Sequence, residues 1–247
     1  MSGGNVVSGG NAVGGRNAVG AARLPVDVVE PVGRHRATVL WLHGLGQGPE
    51  SLVEVSDRLD LARAGIRGVF PQAPLREIGR VSGDPVRAWF EQDVFALENP
   101  GPASLPGVLA IERRLRAVLD EETARVGAGR VVVAGFSQGA LMALVLALRY
   151  PQRLAGLALY APFLPDEAVP LLASRRSAVA VDLPVWIGHG AFDWIIPEKS
   201  GAKVRDVLAD WGHPVGWQRY RAGHEAFGGV KRALPEFLER VLGPAGG

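Results

Sequence analysis

The sequence predicts an α/β domain: a mostly parallel sheet with helices on both faces. Three observations predict it. Short runs rich in β-branched and aliphatic residues alternate with longer stretches whose apolar residues recur at helical spacing, the alternation from which strand–helix–strand units are built. Several strand-like runs, "VLWL", "VVVAGF" and "PVWIG" among them, are apolar without a break. A strand reads this way when both of its faces are covered. The runs also close on glycine or proline, as at Gly44, Pro71 and Gly190, residues that end regular structure.

Taken in order, "PVDVVEP" (Pro25 to Pro31) suits an antiparallel edge strand, because proline at each end is tolerated there. "TVLWLHG" (Thr38 to Gly44) is a buried strand. "ESLVEVSDRLDLARAG" has apolar residues at helical spacing and is expected to stay helical until Gly65. "IRGVFP" is the next strand. A long loop rich in proline and glycine is expected from Gln72 to about Pro106. Val108 to Val126 reads as an amphipathic helix, with Val108, Ile111, Leu115 and Leu119 on one face. "RVVVAG" is a strand and Gln138 to Arg149 a helix. "LAGLALYAP" is a strand and Asp166 to Arg176 a helix. "LPVWIGHG" is a strand, Glu198 to Trp211 a helix and "VGWQRY" a strand. Glu236 belongs to a last helix ending near Leu242. In sheets of this kind functional residues lie in loops at the carboxyl ends of the strands. Each candidate can therefore be tested by asking whether it follows a strand.

Composition bounds the function. Of 247 residues, 47% are hydrophobic and 21% charged, as in globular proteins with a sizeable core. There is no cysteine, hence no disulfide, no thiolate nucleophile and no thiolate-held metal. Twenty-seven basic residues stand against 25 acidic ones, a net charge of +2, with no Lys/Arg run. Nucleic acid is not an expected partner. Residues 1–23 repeat a Gly-Gly-Asn-x-Val-like unit and carry no aromatic residue, so they are expected to form a disordered tail ahead of one domain over 24–247. That tail lacks the early cationic patch and unbroken apolar run of a secretory signal. No later stretch has the roughly 18 apolar residues of a membrane span. A cytoplasmic location is the expectation.

The most apolar stretch of the chain, "GRVVVAGFSQGALMALVLAL" (Gly129 to Leu148), is interrupted by a hydroxyl and an amide at Ser137 and Gln138. "GFSQG" is a G-x-S-x-G pentapeptide between a strand and a helix, the setting of a nucleophile elbow. Gly135 and Gly139 would leave room for the close approach of strand and helix. The alternative is a serine N-cap, which is common at helix starts. A serine hydroxyl needs a base, and behind such an elbow the chain order is serine, acid, histidine. Asp193 follows the strand "LPVWIGHG", whereas Asp182 precedes it and Asp206 and Asp210 sit on a helix. His224 follows the strand "VGWQRY". His213 precedes that strand and so falls at the opposite edge, and His189 reads as a packed residue at a strand end. These placements select Ser137, Asp193 and His224 as the catalytic set. An oxyanion needs donors. The backbone N–H of Gln138 is one, and the N–H of Leu45, in the loop "LHGLGQG", is the other. Such a glycine-rich loop could instead cradle phosphate, but no G-x-x-x-x-G-K-[ST] and no nearby lysine accompany it. No H-E-x-x-H and no histidine/carboxylate cluster at ligand spacing is present, so neither metal nor cofactor is expected.

"LHGLGQG", "FPQAPLR", Trp89-Phe90, "GFSQGALMAL", "HGAFDWIIP" and "GHEAF" occur in the order found in the phospholipase/carboxylesterase family of small α/β-hydrolases, which includes bacterial carboxylesterases and acyl-protein thioesterases. From about Thr38 to Leu242 the chain resembles that family. The resemblance implies an α/β-hydrolase fold without a large cap domain, a triad of Ser137, Asp193 and His224, and oxyanion donors at Leu45 and Gln138. It also implies that Trp89 and Phe90 line or support the acyl site. Gln47 stands where relatives often carry aspartate and Ala140 where a further glycine is usual. Two segments could shape a lid: Gln72 to Pro106, which holds Leu75, Trp89 and Phe90, and Pro162 to Leu183, which holds Phe163. The expected activity is hydrolysis of short- to medium-chain carboxylic esters through an acyl-enzyme. A thioesterase or lysophospholipase would use the same triad, and a binding protein that has lost catalysis is the reading of another class. The expected partner is a small ester or thioester. A homodimer is compatible with the sequence, which carries no sign of one.

Overall fold

A computed structural model describes residues 23–78, 84–92, 105–225 and 232–244. All but Arg23 of the expected disordered tail lies outside them. Seven strands form one sheet in the order β1-β3-β2-β6-β7-β8-β9. They are β1 (Val26–Val29), β2 (Ala37–Leu42), β3 (Ile66–Pro71), β6 (Val131–Phe136), β7 (Gly156–Tyr160), β8 (Val185–Gly190) and β9 (Val215–Tyr220). β1 pairs antiparallel with β3 at one edge. Every other pairing is parallel. A two-strand ribbon, β4 (Leu75–Arg76) with β5 (Val86–Arg87), interrupts the segment that reads as loop after β3.

The central strands are buried along their whole length, as their unbroken apolar runs require. Their side chains alternate between two cores. Leu40 and Leu42 pack under α2 (Leu105–Val126), α3 (Gln138–Arg149), α4 (Ala168–Arg175) and α5 (Glu198–Asp210). Val39 and Trp41 pack under α1 (Glu50–Arg58) and α6 (Ala233–Leu242) on the other face. In α3 every residue except Arg149 is buried, which accounts for its being apolar all round. Among the described residues no helix is long and apolar enough to cross a membrane.

Helix α1 also departs from its sequence pattern. The helical spacing continues to Gly65, but α1 stops at Arg58. Asp60 takes a left-handed backbone with φ 51°. The Leu61 N–H reaches back to Ser56 O at 3.2 Å and the Asp60 N–H to Asp57 O at 3.0 Å, the reverse turn that closes a helix. Leu61 is still buried, so the apolar spacing persists after the helix has ended.

Candidate active site

The carboxyl ends of β2, β6, β8 and β9 converge on Ser137. That residue sits between β6 and α3 with φ 54° and ψ −119°. A left-handed backbone at a non-glycine residue costs about 1–3 kcal/mol and persists only where its surroundings impose it. The flanking glycines permit the close approach of strand and helix that holds it there. A Cβ on Gly135 would lie 2.3 Å from Gly139 O, and one on Gly139 would lie 2.1 Å from Leu42 O. The Ser137 side chain makes no capping hydrogen bond to α3, so it does not act as an N-cap.

Instead the hydroxyl lies 3.0 Å from His224 Nε2. His224 Nδ1–H donates to Asp193 Oδ2 at 2.7 Å. The other carboxylate oxygen, Oδ1, accepts from the N–H groups of Ile195 at 3.0 Å and Ile196 at 2.8 Å. The Asp193 side chain is fully buried and that of His224 is 12% exposed. The Phe136 ring packs on the His224 ring at 4.8 Å between centroids. His213 lies just ahead of β9, at the opposite edge, where its Nδ1 meets Leu183 O at 3.2 Å.

Hydrogen bonds hold the loop after β2. His43 Nδ1–H donates to Gly44 O at 2.8 Å, and His43 Nε2 accepts the Ala73 N–H at 3.1 Å. This pair fixes one neutral tautomer, and burial pushes the imidazole below the ordinary histidine value. Gly44 N–H donates to Gln47 Oε1 at 3.2 Å, an acceptor role that suits the amide in place of aspartate. Gly46 N–H donates to Arg87 O at 2.8 Å, tying the loop to the β4–β5 ribbon. The Leu45 and Gln138 N–H groups donate to no other described residue. The latter opens the N-terminus of α3, where the helix dipole favours negative charge.

The amide in the middle of the apolar stretch is accounted for. Gln138 Oε1 accepts the Trp89 N–H at 2.8 Å, and its Nε2 donates to Phe90 O at 3.1 Å. Trp89 Nε1–H in turn donates to His43 O at 2.8 Å. The sequence pattern showed neither this brace nor the tautomer lock at His43, because both join residues far apart in the chain. The tentative pocket residues divide. Trp89 and Phe90 are 0% and Phe163 2% exposed, and Trp89 and Phe90 are bonded to Gln138 beside Ser137. Leu75, on the ribbon, is 63% exposed. Two residues not singled out from sequence, Phe192 and Trp194, flank Asp193 at 63% and 71% exposure. Among the described residues no group of three or more histidines and carboxylates could hold a metal.

A serine, an imidazole and a buried carboxylate in hydrogen-bonded series on this fold define a serine hydrolase of the α/β-hydrolase class. The chain belongs to the phospholipase/carboxylesterase family, whose model matches residues 25–242. Members of that family hydrolyse esters and thioesters. The chain is 30% identical over 241 residues to acyl-protein thioesterase 1 of Neurospora crassa, covering 90% of this chain and 93% of that one. It is 28% identical over 203 residues to a probable carboxylesterase of Oryza sativa subsp. japonica, covering 81% and 76% respectively. The crystal structure of Zea mays acyl-protein thioesterase 2 superposes with a TM-score of 0.76 at 28% identity, covering 88% of this chain and 99% of that one.

Proposed function

We propose that this chain is a carboxylesterase acting on short- to medium-chain acyl esters, with Ser137 as nucleophile, His224 as base and Asp193 as the acid that orients it. The contact of Ser137 with His224 Nε2 at 3.0 Å carries the reading. Ser137 Oγ attacks the acyl carbonyl as its proton passes to Nε2. The imidazolium is stabilised by the Asp193 carboxylate, and the carbonyl oxygen, now negative, takes the Leu45 and Gln138 N–H groups. As the tetrahedral adduct collapses, Nε2–H returns the proton to the leaving alcohol and an acyl-Ser137 ester remains. Water, deprotonated by Nε2, then attacks that ester. A second tetrahedral adduct expels Ser137, which recovers its proton, and the acid leaves. The proton passes between groups already in contact, Ser137 with His224 and His224 with Asp193.

The names of the thioesterase relatives favour a second reading, hydrolysis of an acyl thioester by the same steps with a thiol leaving. Lysophospholipid hydrolysis is a third outcome, consistent with the apolar rim. The exposed Leu75 follows β3 in the chain, and the exposed Phe192 and Trp194 follow β8. Each of those strands is two places from β6 in the sheet, one on either side of it. The deciding experiment is a panel of p-nitrophenyl esters from acetyl to palmitoyl, matched thioesters and lysophosphatidylcholine. The proposal expects kcat/KM to peak between butyryl and octanoyl oxoesters. Higher kcat/KM on the matched thioester would select the second reading. No turnover on any of them, with no labelling by a fluorophosphonate, would leave only a binding protein.

A further inference from the structure

We propose that His189 is a positioning residue for the triad acid, holding the Asp193 carboxylate in register through the Ile196 peptide. The inference rests on the triad reading above. His189 is the penultimate residue of β8, completely buried, and is not one of the three triad residues. Its Nε2 lies 2.8 Å from Ile196 O. A carbonyl only accepts, so Nε2 carries the proton. Nδ1 is buried and meets no partner among the described residues, which agrees with a bare nitrogen there, since a second N–H would be left unsatisfied.

This one N–H holds one side of Ile196 while Asp193 Oδ1 holds the other by accepting the Ile196 N–H at 2.8 Å. The same Nε2 lies 3.8 Å from Asp193 Oδ2, the oxygen that receives His224. The end of the 193–196 turn is thus pinned between an imidazole and the carboxylate it must present. The ring itself has little freedom. Trp217 of β9 stacks on one side, with centroids 6.1 Å apart and planes 25° from parallel. Gly201 of α5 comes so close that a Cβ there would lie 2.3 Å from Nδ1. Glycine in mid-helix costs about 0.5–1 kcal/mol relative to alanine. Its presence here is explained by the imidazole it accommodates.

The test compares His189→Leu, His189→Gln, Gly201→Ala and Asp193→Asn, and the double variant of His189→Leu with Asp193→Asn, on one p-nitrophenyl ester. Displacing a reacting group by an ångström costs on the order of 10²-fold. His189→Leu should therefore lower kcat roughly 10- to 100-fold with KM within about twofold. His189→Gln, whose amide nitrogen reaches the position of Nε2, should recover most of that loss. Gly201→Ala keeps the imidazole but sets a Cβ against Nδ1, so the ring must shift and kcat should fall in a variant that still melts cooperatively. It therefore stands in for His189→Leu should that variant not fold. In the Asp193→Asn background His189→Leu should have little further effect, because both act through one carboxylate. A full, multiplicative loss in that background would overturn the inference, as would parental kcat in both His189→Leu and Gly201→Ala. Either result leaves the triad standing. Asp193→Asn alone at parental activity would remove the triad reading itself, and this inference with it.

Discussion

Replacing Asp193 by asparagine changes one atom, and the surrounding bonds show what that change does. Oδ1 accepts two backbone N–H groups, and Oδ2 faces His224 Nδ1. The asparagine oxygen must remain at the Oδ1 position to serve the Ile195 and Ile196 donors. Its NH2 then faces His224 and donates to Nδ1, which drives the imidazole proton to Nε2. An imidazole protonated there cannot accept the Ser137 proton. The flipped amide restores the productive tautomer but sets its NH2 against the buried Ile196 N–H and the part-buried Ile195 N–H. Each donor left without an acceptor costs about 1–3 kcal/mol, or about 2–6 kcal/mol together. At about 1.4 kcal/mol per decade this leaves between about one molecule in 30 and one in 10⁴ competent. The upper end meets the roughly 10⁴-fold loss typical of such a change in Ser-His-Asp enzymes. The assay is kcat on a p-nitrophenyl ester at neutral pH, with circular dichroism and a melting curve to establish folding. A folded Asp193→Asn enzyme within about threefold of the parent would refute the reasoning.

Three further outcomes follow from the same geometry. His213→Ala, altered at the far edge of the sheet, should keep kcat within a few-fold; a folded but inactive variant would mean that the edge assignment is wrong. Gln138→Ala strands the buried Trp89 N–H and Phe90 carbonyl, and should lower unfolding free energy by about 2–5 kcal/mol in a urea titration. Burial pushes the imidazoles of His43, His189 and His213 below the ordinary histidine value. The unfolded chain therefore binds protons that the native state refuses as pH falls below about 6.5, so stability present above that pH is lost on acidification. A urea midpoint that stays constant or rises from about pH 7.5 to about pH 5.5 would contradict this account.

How far the sequence reaches depends on how local each feature is. β3, α3 and β9 begin and end where their patterns say, because period and flanking residues fix each one. The three residues now in hydrogen-bonded series were picked by a rule of position, since only Ser137, Asp193 and His224 follow strands in the required order. The pattern runs past the end of α1 because Leu61 keeps the helical spacing while the backbone turns through Asp60. The β4–β5 ribbon is two residues per strand, too short for a period to register. The pocket expectation left two roles open, lining and support, for a physical reason. An aromatic residue near a site looks the same in sequence whether it lines a cavity or braces the loop behind it, and Trp89 does the latter. The brace at Gln138 and the lock at His43 depend on contacts between segments that sequence spacing does not bring together, whereas the clamp at His189 lies in an irregular turn that has no period to read.

The central claim is that Ser137 carries the acyl group. Acid quenching within the first turnover on a p-nitrophenyl ester, followed by intact-mass and peptide analysis, tests it directly. The account predicts a burst of about one nitrophenolate per chain where deacylation is the slower step. The mass should rise by one acyl group, on the peptide containing Ser137, with no such rise in Ser137→Ala. An acyl group trapped on another residue, or full turnover by a folded Ser137→Ala enzyme, would contradict it.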